Sequence, residues 1–306
     1  MRNLIGWTLL AFMLMVAGCG GAEEDSYSDD MAEQHEDDAP EATAAAREPI
    51  IPVDASTVPY GTTDAGETIT GYIAAPERPD SVLQARGLDP STAQLPGLIV
   101  IHEWWGLNEN IRTATRRLAG EGYRALAVDL YEGSTADTPE GARELMQLAM
   151  QDRARLLANL RAAAAFLREE TEAPRVGIMG WCLGGGMALN GALDQPEALD
   201  ALVIYYGRIQ SAEQSELAAL QMPILGHFGG EDESIPLENV RAFEQALEDQ
   251  GKDAQVYTYD DAGHAFANPS GQNYHPEAAA EAWDRTTRFL QQHLYPSNRS
   301  TTASAN

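Results

Sequence analysis

The chain has 306 residues and carries 47 Asp or Glu against 20 Lys or Arg, a formal charge of −27. Phosphate backbones need a basic surface, so this balance argues against a nucleic-acid partner. The length suits one sizeable core behind a leader, and two cysteines, Cys19 and Cys182, leave no disulfide framework to expect.

Taken in chain order, the first segment is a leader. Arg2 precedes a largely apolar run from Leu4 to Val16, and then comes Val16-Ala17-Gly18-Cys19. The apolar run falls short of the ~20 residues a membrane span needs. The small residues before the cysteine resemble the lipobox of a bacterial lipoprotein signal peptide. That resemblance implies removal of residues 1–18, acyl chains on Cys19, and an exported, membrane-anchored protein at the periplasmic or cell surface. Several acyl chains anchor stably where one binds only marginally.

Residues 19–48 follow, with eleven Asp or Glu between 20 and 48 and almost no bulky apolar side chain. Such a stretch cannot bury enough surface to offset chain ordering, and we read it as a disordered tether. The ordered domain is expected over 49–295 and a loose tail over 296–306. A lone Cys182 in an oxidising compartment calls for an explanation.

Within 49–295 apolar strands alternate with helical patterns. Strands are expected at 68–76, 95–106, 124–133, 175–181, 201–207, 222–232 and 254–259. Helices are expected at 108–123, capped by Asn108, at 138–170 with a break near Gln151 and Asp152, and at 183–193, 212–220, 236–251 and 275–294. Residues 77–95 read as an insertion-like loop able to reshape a pocket mouth. Alternation of this kind means βαβ units: an α/β fold with a mostly parallel central sheet and helices on both faces. Reactive groups in such sheets gather at the carboxyl ends of the strands.

Three strand ends carry chemistry. "GWCLGGG" places Cys182 at a tight strand-to-helix turn, in the frame G-x-C-x-G. Such a turn lifts a nucleophile into the open, and the N–H of Leu183 at the new helix start favours a developing oxyanion. "GGEDESIP" places Asp232 in a turn, and "GHAFAN" places His264 in a loop before the last helix. Nucleophile, acid and base come in the chain order of the α/β-hydrolase triad. A thiol needs a base, and the base needs an orienting carboxylate. Asp260 and Asp261 abut His264 and fit that geometry poorly. His102 and His227 read as packed or hydrogen-bonded residues near strand ends, and no pair of histidines has metal-ligand spacing, so neither metal nor cofactor is expected.

The stretches "HEWWGLN", "AVDLYEG", "GWCLGGG", "IYYG", "GGEDESIP" and "GHAFAN" together resemble the dienelactone hydrolases of the α/β-hydrolase superfamily. The resemblance implies that Cys182, Asp232 and His264 form the triad. It also implies that Glu103 lies near the thiol and takes its proton when substrate binds, so that a neutral resting thiol resists oxidation. It names the N–H of Trp104 as the second oxyanion donor. Trp105, Trp181 and Tyr131 are expected to wall the pocket. The family's two carboxylate-holding arginines have no counterpart: Gly133 and Asn268 stand there. Each lost charged contact weakens anion binding, so neutral substrates are expected to outrun acids unless another arginine, such as Arg208 or Arg86, takes over. The expected activity is cleavage of a small ester or lactone through a cysteinyl acyl-enzyme, by a monomer. The alternatives are a thioesterase or small peptidase on the same scaffold, or a silent surface binding protein.

Overall fold

Alternating buried strands and amphipathic helices assemble into one eight-stranded sheet. The computed structural model describes Met31 and residues 47–63, 65–210 and 215–296. The leader and Cys19 lie outside the described residues. Among those described, no helix is long and apolar enough to cross a membrane.

The strands are β1 (Val53–Thr62), β2 (Thr68–Pro76), β3 (Gly97–Ile101), β4 (Arg124–Val128), β5 (Val176–Trp181), β6 (Ala201–Tyr205), β7 (Ile224–Gly229) and β8 (Ala254–Tyr259). Their spatial order is β1-β2-β4-β3-β5-β6-β7-β8. The pairs β1–β2 and β2–β4 are antiparallel, and all later pairs are parallel. Every residue of β3, β5, β6 and β7 is buried, as expected of strands covered on both faces.

The helices are α1 (Pro79–Ala85), α2 (Glu109–Gly120), α3 (Pro139–Met150), α4 (Arg153–Glu169), α5 (Leu183–Asp194), α6 (Leu237–Asp249) and α7 (Pro276–Leu294). The step from β3 to β4 moves toward the β1 edge. The steps through α3, α4, α5 and α6 move the other way. Right-handed crossovers therefore put α2 on the face opposite those four helices. The side chains of α2 and α7 meet where the Arg117 guanidinium lies 3.5 Å from the centre of the Trp283 ring, so α7 shares the face of α2.

Local chemistry sets the helix ends. Asn108 caps α2 by accepting from the Ile111 N–H at 3.2 Å. The long helical stretch breaks at Gln151 and Asp152 because the Asp152 side chain accepts from the Arg155 N–H at 3.0 Å and starts α4 afresh. Three elements differ from expectation. The strand β1 went unread because Pro59 and Gly61 interrupt its pattern and most of its residues are exposed; the register shifts between those two positions. Residues 77–95 hold a short helix, α1, with Pro79 in its first turn and Leu83 buried. The helix expected over 212–220 lies partly outside the described residues, and within them only a 3₁₀ turn, Glu216–Ala219, forms.

Candidate active site

The parallel strands end together, and the side chains singled out at β3, β5, β7 and β8 converge there. Cys182 stands between β5 and α5 with φ 53° and ψ −120°, a left-handed conformation that costs a non-glycine residue strain. The turn holds it there. The Cys182 N–H donates to the Tyr205 carbonyl at 3.0 Å, and its own carbonyl accepts from the Gly185 N–H at 3.0 Å. The turn is too tight for side chains on either side. A Cβ on Gly180 would come within 2.2 Å of the Gly184 carbonyl oxygen, and one on Gly184 within 2.4 Å of the Ile101 carbonyl oxygen. The expectation of an open thiol is not met: Cys182 is only 2 % exposed.

His264 and Asp232 form a buried pair. His264 Nδ1 lies 2.7 Å from Asp232 Oδ2. The other carboxylate oxygen, Oδ1, accepts from the N–H groups of Ser234 and Ile235, each at 2.9 Å. Burial pushes the Asp232 carboxyl up, but His264 and these donors outweigh it and hold its pKa below the usual value. Burial alone would lower the His264 pKa. The Asp232 carboxylate, followed by the nearby Cys182 sulfur, instead raises it well above the ordinary histidine value.

Glu103, just past β3, is held by side chains from two other strand ends. Asn268 Nδ2 donates to its Oε2 at 2.8 Å, and the Tyr206 hydroxyl approaches its Oε1 at 3.4 Å. Tyr206 has φ 36°, and its ring stands edge-on to His264 with centroids 5.3 Å apart. Burial, then Glu103 and then Cys182 push its phenol well above the usual value. Tyr206 thus joins Glu103, His264 and Cys182, a role the sequence did not reveal. Only a non-glycine left-handed residue inside "IYYG" marks it, and that is invisible before folding.

Family comparison gives this geometry a context. The model of the dienelactone hydrolase family matches residues 83–294. The chain belongs to the dienelactone hydrolase family. Protein usf of Aquifex pyrophilus is 32 % identical over 236 residues, spanning 75 % of this chain and 95 % of that protein. A protein of Escherichia coli K12 named "Putative carboxymethylenebutenolidase" is 35 % identical over 239 residues, spanning 74 % of this chain and 88 % of its own length. The crystal structure of a Klebsiella pneumoniae protein described as a "Putative Dienelactone Hydrolase" superposes with a TM-score of 0.66 at 30 % identity, covering 79 % of this chain and 100 % of that one.

Gly133 has φ 89° and open space around its Cβ direction. The turn carrying it is built by Asp129, whose two oxygens accept from the N–H groups of Tyr131 and Gly133 at 2.9 and 2.6 Å. Asn268 is committed to Glu103 through the bond from its Nδ2. Tyr131 is buried, its hydroxyl has no hydrogen-bond partner, and its pKa is raised well above the usual value by burial and then by Cys182. Leu183 opens α5, so its N–H lies at that helix's start, and Trp104 follows Glu103 directly. Trp104 and Trp105 are buried against one another, with centroids 4.9 Å apart.

A cleft beside Glu103 holds about 770 Å³ of non-atom space, its open mouth included. Trp181, Tyr206 and Asn268 line it, whereas Trp105, Tyr131 and Gly133 do not border it. Residues 77–95 do not shape its mouth: Arg86 donates to the Glu121 carbonyl at 2.6 Å and stacks on Tyr295, at the far end of α2. This also removes Arg86 as a substitute clamp. The remaining buried histidines fasten strands. His102 Nε2 accepts from the Leu130 N–H at 3.1 Å, so its Nδ1–H donates to the Glu103 carbonyl at 2.6 Å. His227 bonds Tyr259 and Thr286, each at 3.0 Å, and burial, then Arg285, hold its pKa down at about 3. Among the described residues no cluster of His, Cys, Asp or Glu is placed to hold a metal ion.

Proposed function

We propose that this dienelactone hydrolase relative cleaves a small ester or lactone through a cysteinyl acyl-enzyme on Cys182. The observation that carries the reading is the strained, buried Cys182 turn facing the Asp232–His264 pair. The thiol proton passes to a base, Glu103 or His264, and the sulfur attacks the substrate carbonyl. The N–H groups of Leu183 and Trp104 receive the developing oxyanion. His264, held by Asp232, protonates the departing alkoxide as the C–O bond breaks. It then takes a proton from water, which attacks the thioester, releases the acid and restores the thiol. Every step uses side chains and backbone N–H groups of this chain, and water.

Intact-mass spectrometry after mixing with an aryl ester tests this directly. An acyl adduct on Cys182 that accumulates in His264→Ala, with a burst of phenol in the parent protein, is expected. Steady turnover by Cys182→Ala would end the reading. Anchoring through lipid on Cys19 is the companion proposal, motivated by Val16-Ala17-Gly18-Cys19. Cys19→Ser should move the protein from the membrane to the soluble fraction, and membrane retention of that variant overturns it.

A further inference from the structure

We propose that the end of the cleft away from Glu103, between α2 and α7, is an anion subsite, built by Arg117 with Arg47, that selects esters or lactones bearing a remote carboxylate. The inference rests on the hydrolase reading above and deepens it by naming a substrate class.

The cleft is bipolar. At one end stand Glu103, Tyr206 and Trp181, the residue just before Cys182. At the other stand Arg47, Arg117, Tyr274 and Trp283. Asn110 and Arg117 both line it and lie two turns apart on α2, so the two ends are separated by roughly 10 Å.

Arg117 is arranged as an arginine waiting for an anion. Its guanidinium is half-buried and lies over the Trp283 ring at 3.5 Å. No carboxylate among the described residues forms an ion pair with it or with Arg47, although acidic residues outnumber basic ones more than twofold in this chain. Burial, then the like charge of Arg47, pull the Arg117 pKa down to about 10; Glu121 acts on it only from beyond ion-pair distance. Two mutually repelling guanidiniums, one of them half-buried, are an unfavourable arrangement that a bound carboxylate relieves through charge-assisted, fork-shaped hydrogen bonds. The planar stack on Trp283 fixes the orientation of the fork.

Distance then sets the substrate. A carboxylate beside the scissile carbonyl meets Glu103 and finds no arginine, because Arg47 and Arg117 are, among the described residues, the only arginines lining the cleft. A carboxylate at the end of an extended acyl chain reaches Arg117. Acid groups are therefore disfavoured near the reacting bond and favoured far from it, which narrows the expectation of a general preference for neutral substrates.

The test uses p-nitrophenyl hemiesters of succinate and azelate, each beside its methyl-capped counterpart. In the parent protein the ratio of kcat/KM, acid over methyl ester, should be about ten or more for azelate and below one for succinate. In Arg117→Leu the azelate ratio should fall to about one, and Arg117→Lys should retain part of it. Free azelate should also raise the Tm of the parent protein and not that of Arg117→Leu. An azelate ratio of one or less in the parent overturns the inference whatever the variants do. If no ester is cleaved yet azelate stabilises the protein through Arg117, the subsite stands and the hydrolase reading falls.

Discussion

Asn268 donates its Nδ2–H to Glu103 Oε2 at 2.8 Å, and both side chains are buried. The amide is oriented by its other end. Asn268 Oδ1 accepts from the Ser270 N–H at 3.0 Å, the Ser270 hydroxyl at 2.9 Å and Asn110 Nδ2 at 3.3 Å. Asn268 is thus the side chain that grips the buried Glu103 carboxylate, with its amide fixed from the other side.

Replacing that donor should be costly. Asn268→Leu keeps the volume but removes a charge-assisted bond of about 1.5–3 kcal/mol. We expect kcat/KM on a neutral aryl ester to fall roughly tenfold or more, with the loss in kcat rather than KM. A purely structural role would lower Tm and leave kcat of the folded fraction intact, and that outcome removes Asn268 from the mechanism.

The elbow makes a second prediction. Cys182→Ala should abolish hydrolysis without loss of fold, and Cys182→Ser should keep little activity. Cys182→Gly relieves the left-handed strain at φ 53°. It should be equally inactive but more stable than Cys182→Ala by about 1 kcal/mol, read from thermal or urea unfolding. A less stable glycine variant shows that the turn stores no strain.

His264 offers a pH test. Its folded pKa is raised, so the stability it contributes is fully present below pH 6.5 and is lost as pH rises through the folded value. Asp232→Asn leaves burial, which lowers the pKa, opposed mainly by Cys182. The His264 midpoint, followed by NMR of labelled histidine, should drop. An unshifted midpoint means that the carboxylate does not set the charge of the base.

Tyr131 separates stability from function. Its buried hydroxyl has no hydrogen-bond partner beside Cys182, and a buried unsatisfied hydroxyl costs about 1–3 kcal/mol. Tyr131→Phe should leave Tm unchanged or raised. If the hydroxyl donates to bound substrate, kcat/KM should fall several-fold on the same ester. Parallel kinetics and calorimetry read both effects, and unchanged turnover assigns Tyr131 to packing alone.

Most strands and helices were legible because their hydrophobic periods are strong. The strand "TITGYIAAP" and the strand "AQVYTY" occupy the expected residues, and Asn108 and Asp152 behave as the caps their side chains allow. The edge strand β1 was not legible: a strand paired on one side only, with Pro59 and Gly61 within it, lacks the period that a buried strand must keep. The region 77–95 read as a loop because its helix is one short piece with a single buried anchor, Leu83.

By itself, the sequence determined the α/β alternation, the tight turn at Cys182 and the order of Cys182, Asp232 and His264 along the chain, since each is a local matter of residue type and spacing. Only the tertiary structure decided what touches what. It joined His264 to Asp232, set Asn268 on Glu103, brought Tyr206 between Glu103 and His264, and stacked Arg117 on Trp283. Those pairs lie tens to more than a hundred residues apart in sequence, and no local propensity encodes them. They follow from parallel strands ending together and from two helices sharing one face of the sheet, so that burial, and with it every pKa and every unpartnered charge, is fixed only when the layers close.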